Sequence, residues 1–276
     1  MKVSILTVNY NNAEGLRRTL ESVAAQTYQE FEHVIIDGGS SDESVGIIRN
    51  YEKSLKSNDK YKMTNVQWIS EPDNGIYDAM NKGVRKASGE YLLFLNGGDT
   101  LASEKALEEI APYLDGDDFI VGRVFFSIKG NRVSVSPLLS EKDMSMYYMY
   151  LHGINHQSAF IKSELLVDMP YDTTVKMNAD WLFFVQQIVM RNATVKFVDK
   201  YIADFDRTGL SSNTQAVVEE RKEVLKKILP ARMCRDYDHV IPHYYEVIRV
   251  EWLLRHPFWY KLYRGLTTIG RKITKS

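Results

Sequence analysis

At 276 residues the chain has room for one large domain or a domain with an appendage, and its 44% hydrophobic and 26% charged residues are the composition of a folded globular protein. The balance of 35 Lys and Arg against 36 Asp and Glu, a formal net charge of -1, excludes the broad positive field of a nucleic-acid reader. A single cysteine, Cys234, excludes an internal disulfide, and without a CxxC pair or a Cys/His cluster of zinc spacing the chain suits a reducing compartment.

The apolar stretch Val3 to Val8 stops at Asn9, Asn11 and Asn12, too short for a secretory signal and of the right length for a first strand. No run approaches the roughly 18 apolar residues of a membrane span, so the expectation is a cytoplasmic protein. Leu16, Leu20 and Val23 then follow helical spacing, His33 to Ile36 reads as a second strand, and Ile47, Ile48 and Tyr51 mark a second helix. Val66 to Ile69 forms a third strand, Ile76, Met80, Val84 and Ala87 one face of a third helix, and Tyr91 to Leu95 a fourth strand. Such alternation predicts an α/β fold with a mostly parallel central sheet flanked by helices on both faces.

Beyond residue 100, Phe119 to Val135 reads as two strands turning at Lys129-Gly130-Asn131, residues 179 to 190 as a helix entered from Asn178, and Val195 to Phe205 as a returning strand. Residues 214 to 254 read as helices broken at Pro230 and Pro242, a helical C-terminal extension. The expected organisation is a catalytic domain over 1–212, with a ligand-binding half over 1–100 and a second half over 101–212, followed by the extension over 213–276.

In open α/β sheets, ligands bind beyond the carboxyl ends of the strands, and here those ends are rich in carboxylates, amides and glycine. The second strand runs into Asp37-Gly38-Gly39-Ser40-Ser41-Asp42, either a tight turn with a helix cap or a site where Asp37 accepts a hydrogen bond from a base or ribose. The fourth runs into Asn96-Gly97-Gly98-Asp99, where Asp99 is a turn carboxylate or a ligand for a hard cation such as Mg2+ or Mn2+. Asp180, in Met177-Asn178-Ala179-Asp180-Trp181, is on residue type alone an acid favoured in the first turn of a helix.

Four segments in order carry a resemblance: Val3-Ser4-Ile5-Leu6-Thr7-Val8-Asn9-Tyr10-Asn11, Ile35-Ile36-Asp37-Gly38-Gly39-Ser40-Ser41-Asp42, Glu71 to Gly83, and Gly89 to Asp99. Together they resemble glycosyltransferase family 2, densely over the first hundred residues and more sparsely to about residue 212. The resemblance implies a GT-A fold, a nucleotide-diphosphate sugar donor, expected to be a UDP-sugar, a divalent cation (Mn2+ or Mg2+) and inversion at the anomeric carbon. By position it implies that Asn9 and Asp37 contact the nucleoside beside Gly39. Asp73, Asn81 and Lys82 would line the donor site, Asp99 would hold the metal and Asp180 would act as catalytic base. Asn96 and Gly98 stand where many members have Asp, which leaves one carboxylate of the usual cluster. His156, in His152-Gly153-Ile154-Asn155-His156-Gln157, resembles a family His-Gln motif and is a candidate metal ligand or acceptor contact. Arg207, in Phe205-Asp206-Arg207-Thr208-Gly209-Leu210-Ser211, is a candidate diphosphate contact. A saccharide or lipid-linked acceptor in bacterial surface polysaccharide or glycolipid synthesis is the expected destination of the sugar. The alternatives kept beside this are a sugar-nucleotide nucleotidyltransferase, which the sequence disfavours for want of a Gly-rich basic loop after the first strand, and a non-catalytic binding subunit.

Residues 252–276 hold six Lys/Arg and no Asp or Glu, with Trp252, Phe258, Trp259, Tyr260 and Tyr263 interleaved, which leaves 29 basic against 36 acidic residues on the remainder. A basic aromatic segment suits either an anionic membrane surface, making the protein peripheral on the inner face of the cell membrane, or docking on the catalytic domain.

Overall fold

The computed structural model describes residues 2–57, 65–128, 130–208, 214–240 and 243–273. They form two compact units, Met1–Glu220 and Arg221–Ser276.

The first unit opens with the expected alternation: β1 (Val3–Asn9), α1 (Ala13–Ala24), β2 (Phe31–Asp37), α2 (Ser44–Ser57), β3 (Val66–Ser70), α3 (Ile76–Lys86) and β4 (Tyr91–Phe94). These strands pair in parallel in the order β3-β2-β1-β4. β1, β2 and β4 are buried at every position because both faces are covered, whereas β3, at the edge, is only partly buried. Val3, Ile5, Ile35 and Leu93 pack with Leu16 and Leu20 of α1 and Ile47 and Ile48 of α2. Leu6 and Ile36, of opposite parity, meet α3 at Gly83, where an added Cβ would stand 3.6 and 3.5 Å from them. A Cβ alone fits there in ordinary contact, and a longer side chain would wedge helix from sheet. Each large apolar side chain buried this way contributes about 1.5–3 kcal/mol of transfer free energy.

The second part of this unit contains β5 (Thr100–Leu101), α4 (Ala106–Ile110), β6 (Phe119–Ile128), β7 (Asn131–Val135), α5 (Met146–Leu151), β8 (Ala159–Lys162), α6 (Ser163–Asp168), α7 (Ala179–Phe184) and β9 (Val195–Asp206). It extends the same sheet as β4-β8-β6-β9-β5, with β7 hydrogen-bonded to β6. β8 is antiparallel to both β4 and β6, while β6 and β9 are parallel. The expected hairpin over 119–135 forms as β6 and β7, with Lys129 of its turn outside the described residues. The expected helix over 179–190 is α-helical only to Phe184 and continues as a π-helical turn over Val185–Met190.

In the second unit, α8 (Thr214–Ile228) carries over the division, followed by α9 (Ala231–Val240), α10 (Tyr244–Arg255) and α11 (Pro257–Ile273). Pro230 separates α8 from α9, where its missing N–H costs nothing at a helix start. Pro242 lies outside the described residues. Among the described residues no helix is long and apolar enough to cross a membrane.

Candidate active site

The strand order reverses between β1 and β4, because β2 and β3 continue to one side of β1 while β4 lies on the other. A crevice opens at such a switch point, beyond the strand ends. Asn9 ends β1 there, and Gly97 sits beside it: a Cβ on Gly97 would stand 2.6 Å from Asn9 Oδ1. Antiparallel pairing of β8 with β4, Leu92 opposite Ile161, brings the residues just before β8 to the same end. His156 and Gln157 thereby reach the crevice from 60 positions downstream of Asn96.

Asp37 is fully buried, and its carboxylate is saturated. Oδ1 accepts from Asn9 Nδ2 (3.1 Å) and Ser40 Oγ (2.6 Å), and Oδ2 from Ser40 N (2.9 Å) and Ser70 Oγ (2.7 Å). Burial pushes its pKa up, but these bonds from Ser40, Ser70 and Asn9 outweigh it and leave the acid below the ordinary range. With about four lone-pair sites filled, Asp37 in this arrangement fixes the glycine turn, and a base would contact it by replacing one of these bonds. Gly39 takes φ +77° there, close under Pro72 N. The open surface is formed by its neighbours. Tyr10 is 65% exposed, and Asp73 stands so close to Gly38 that a Cβ there would lie 2.5 Å from Asp73 Oδ2.

The other donor-site expectations divide. Lys82 donates to Pro72 O (2.8 Å) and pairs with Glu71 (3.0 Å), holding the loop that presents Asp73. Asn81 lies on the buried side of α3 and is absent from the crevice. Its amide donates to Tyr171 O (2.9 Å) and accepts from Tyr171 N (3.0 Å), clasping a backbone segment that has no regular structure of its own to bond with. Arg207 is exposed, its guanidinium 5.4 Å from the Phe126 ring centroid and its N–H donating to Ser127 O. Gly209, Leu210 and Ser211 of that motif lie outside the described residues.

Asp99 differs from Asp37 in having capacity to spare. Oδ1 accepts from Asp206 N (2.9 Å) and Oδ2 from Gln157 Nε2 (3.2 Å), leaving lone pairs on both oxygens. Burial pushes its pKa up to about 6, opposed by the Asp206 amide and the positive His156. A buried carboxylate held this high gains from a nearby cation. Asn9 Oδ1, buried and without a partner, adds an oxygen at the crevice. This donor set fits a hard divalent ion that completes its shell with phosphate oxygens and water, and Asp99 is the residue that would hold it. Among the described residues no three His, Cys, Asp or Glu gather into a site able to hold a metal alone.

Asp180, in the first turn of α7, accepts from the Tyr77 phenol at Oδ1 (2.7 Å) and from His156 Nδ1 at Oδ2 (2.7 Å). Its side chain is 17% exposed. Burial pushes the carboxyl up, yet the His156 bond and charge, with the Tyr77 bond, bring it below its ordinary range. His156 is pushed down by burial and up more strongly by Asp180, so its net shift is upward. Burial and the Asp180 charge raise Tyr77 well beyond the usual phenol range, so it remains a donor. On its other side His156 Nε2 lies 3.2 Å from Asn96 Nδ2, while Asn96 Oδ1 is orphaned. With Nδ1–H donated to Asp180, the Nε2 lone pair accepts from the Asn96 amide. Both nitrogens of His156 are engaged within the protein, Nδ1 with Asp180 and Nε2 with Asn96.

Tyr77 and Glu220 are the residues sequence reasoning missed. Tyr77 lies inside the segment Glu71 to Gly83, two positions after Gly75, and has no role there in the sequence reading. Glu220, on α8, accepts from Lys176 N (2.7 Å), Met177 N (2.8 Å) and Asn178 Nδ2 (2.8 Å), and so fixes the approach to Asp180. No local signal announces it, since an acid on an exposed helix is commonplace.

The family model for Glycosyl transferase family 2 matches residues 4–166, a span that includes β1 to β4 and reaches β8. The chain belongs to glycosyltransferase family 2. An uncharacterized glycosyltransferase of Mycobacterium tuberculosis is 31% identical over 219 residues, 77% of this chain and 78% of that one. A PGL/p-HBAD biosynthesis glycosyltransferase of Mycobacterium bovis is 29% identical over 229 residues, 82% and 83% of the two chains. Among solved structures, TarS 1-349 of S. aureus in complex with UDP-GlcNAc superposes with TM-score 0.61 at 20% identity, over 85% of this chain and 69% of that one. The chain spans 39% of full TarS. Mannosyltransferase PcManGT of Pyrobaculum calidifontis, in complex with GDP-Man and Mn2+, gives 0.57 at 17% identity, over 81% and 61%. These neighbours identify the fold as GT-A. Membership makes this glycosyltransferase family 2 protein a transferase and sets aside both the nucleotidyltransferase and the non-catalytic subunit.

Proposed function

We propose that this glycosyltransferase moves a sugar from a UDP-sugar to a hydroxyl of a saccharide or lipid-linked acceptor, with inversion, in bacterial surface polysaccharide or glycolipid synthesis. The observation that carries the reading is the Asp180 carboxylate, braced by Tyr77 and His156 and linked through His156 and Asn96 to the strand end that bears Asp99. Inversion requires a base on the sugar face opposite the leaving diphosphate. As the acceptor oxygen bonds to the anomeric carbon and the bond to the diphosphate breaks, the hydroxyl proton passes to Asp180. His156 and Tyr77 hold the carboxylate's orientation throughout. A divalent ion at Asp99 supplies charge neutralisation of the departing UDP. Tyr10 offers an exposed ring on which a base can stack, and Asp73 a carboxylate beside it. Arg207, exposed just after β9, is the proposed diphosphate contact. The UDP-GlcNAc held by TarS and the Mn2+ held by PcManGT support the donor class and the ion. The M. bovis relative, named for PGL/p-HBAD biosynthesis, supports a biosynthetic role of this kind.

Thermal stabilisation by UDP, GDP, dTDP and CDP, each with and without Mn2+ or Mg2+, tests the site, because a ligand of the native state raises stability by its concentration over its dissociation constant. The expected result is a metal-dependent shift with UDP that Asp99→Ala removes. A shift with none of the nucleotides, or one indifferent to both metal and Asp99→Ala, would refute it.

A further inference from the structure

The second unit presents a surface that transfer itself does not use. His256 interrupts the chain between α10 and α11, and Pro257 restarts it at a position where its fixed φ suits a helix. At about 100° per residue, Phe258, Trp259, Leu262 and Tyr263 fall on one side of α11, with Lys261 and Arg264 on the other. The four apolar and aromatic side chains are between 46% and 72% exposed. Trp252 and Leu254, near the end of α10, are 50% and 55% exposed as well. Large apolar side chains scattered singly over a surface need no explanation, but a contiguous set on one helix side marks an interaction site.

Charge then selects the occupant. Over residues 252–276 every formal charge is positive, six Lys/Arg without an acid, while the remaining residues carry a net of -7. A second copy docking through the same side would bring two such segments together and pay for it in repulsion. A bilayer with anionic headgroups supplies both what the apolar side needs and what the cations need. Trp and Tyr favour the headgroup level, where one edge of the ring is dry and the other wet, and Lys and Arg extend alkyl stems through the apolar layer with their charges in water. Among the described residues no helix, α11 included, is long and apolar enough to cross.

We propose that α11 lies in the plane of an anionic membrane surface, with Phe258, Trp259, Leu262 and Tyr263 in the headgroup–acyl boundary and Lys261 and Arg264 against lipid phosphates. The proposal concerns where the enzyme works and stands independently of the donor and base assignments. It gives a lipid-linked acceptor a route to the protein by diffusion in two dimensions.

Flotation of the full-length chain with phosphatidylcholine vesicles, and with vesicles containing 30% phosphatidylglycerol, tests it. The wild type is expected to float with the anionic vesicles, to remain largely behind with the neutral ones, and to detach as salt rises through the range where the Debye length shrinks. Phe258→Ser with Trp259→Ser should weaken partition about tenfold or more, since two large buried groups are lost. Lys261→Glu with Arg264→Glu should abolish the preference for anionic lipid. Wild type that stays behind with both vesicles overturns the proposal, as does flotation unchanged in both double variants. Light scattering and melting of the same proteins separate the rival occupants. A wild-type dimer made monomeric by Phe258→Ser with Trp259→Ser, without flotation, reassigns the surface to self-association. A lowered melting temperature in that variant, without flotation, reassigns it to packing within the chain.

Discussion

Acidification should loosen the sheet beneath the active site through one residue, His33. It is fully buried on β2, with Nε2 2.9 Å from the Thr7 hydroxyl and Nδ1 3.0 Å from the Tyr51 phenol. Burial alone pushes its pKa from 6.5 down to about 3. The unfolded chain recovers the ordinary value, so below it the unfolded state binds a proton that the folded state refuses. The contribution is therefore complete above about pH 7 and is lost progressively as pH falls toward 3. Between pH 7 and pH 5 about 1.5 units of the difference are traversed, which at 1.36 kcal/mol per unit is a loss of about 2 kcal/mol. For a chain of this size that corresponds to roughly 4–8 °C in melting temperature. Melting the wild type and His33→Gln at both pH values isolates the effect, because Gln can bond to both hydroxyls but takes up no proton. The carboxylates titrate alike in the two proteins and cancel. The wild type should lose about 2 kcal/mol more than the variant. Parallel losses would refute the argument and place the acid sensitivity elsewhere.

Three further outcomes follow from the site. Asp180→Asn keeps the shape and the Tyr77 bond but removes the base; turnover measured by UDP release should fall about 10²- to 10⁴-fold while UDP binding by calorimetry is retained. Tyr77→Phe leaves the ring packed near Tyr171 but withdraws a donor from the carboxylate anion. Asp180 then binds its proton more readily, and the acid limb of the kcat/KM profile should move to higher pH; an unmoved limb would argue against Asp180 as the group that must be ionised. Asn81→Ala strands the Tyr171 N–H and carbonyl, so urea unfolding should show a loss of about 1–3 kcal/mol, with UDP affinity unchanged in the protein that remains folded.

The donor half was legible because its two periodicities are clean. Val3 to Val8 is apolar but for Ser4 and Thr7, Tyr91 to Leu95 is apolar throughout, Leu16, Leu20 and Val23 are a helical stripe, and β1, β2 and β4 each run into Asn or Asp. The half beyond residue 100 was not, for reasons that are local. β8 is four residues long and β5 two, too short for a period to declare itself. β9 was visible as a strand, but its parallel pairing with β6 is decided by the crossover through β8 and α7, which no residue in β9 encodes. Within the site, residue type suggested Asp37, and the resemblance Asn81, as ligand groups; in the structure four hydrogen bonds hold the first and a backbone clasp the second. For Asp37 two of the four bonds are local, from Ser40, and two come from Asn9 and Ser70, 28 and 33 positions away, while Tyr171 reaches Asn81 from 90 positions away. Asp99 and Asp180 kept their prominence because each delivers a carboxylate from the end or start of a regular element into the crevice.

The antiparallel insertion of β8 separates two kinds of evolutionary freedom. Since pairing with β4 and β6 alone fixes where His156 and Gln157 arrive, the exposed stretch over 137–145 upstream can change length or chemistry without disturbing their register. Insertions and replacements can therefore accumulate in that stretch while His156 and Gln157 keep their places at the crevice.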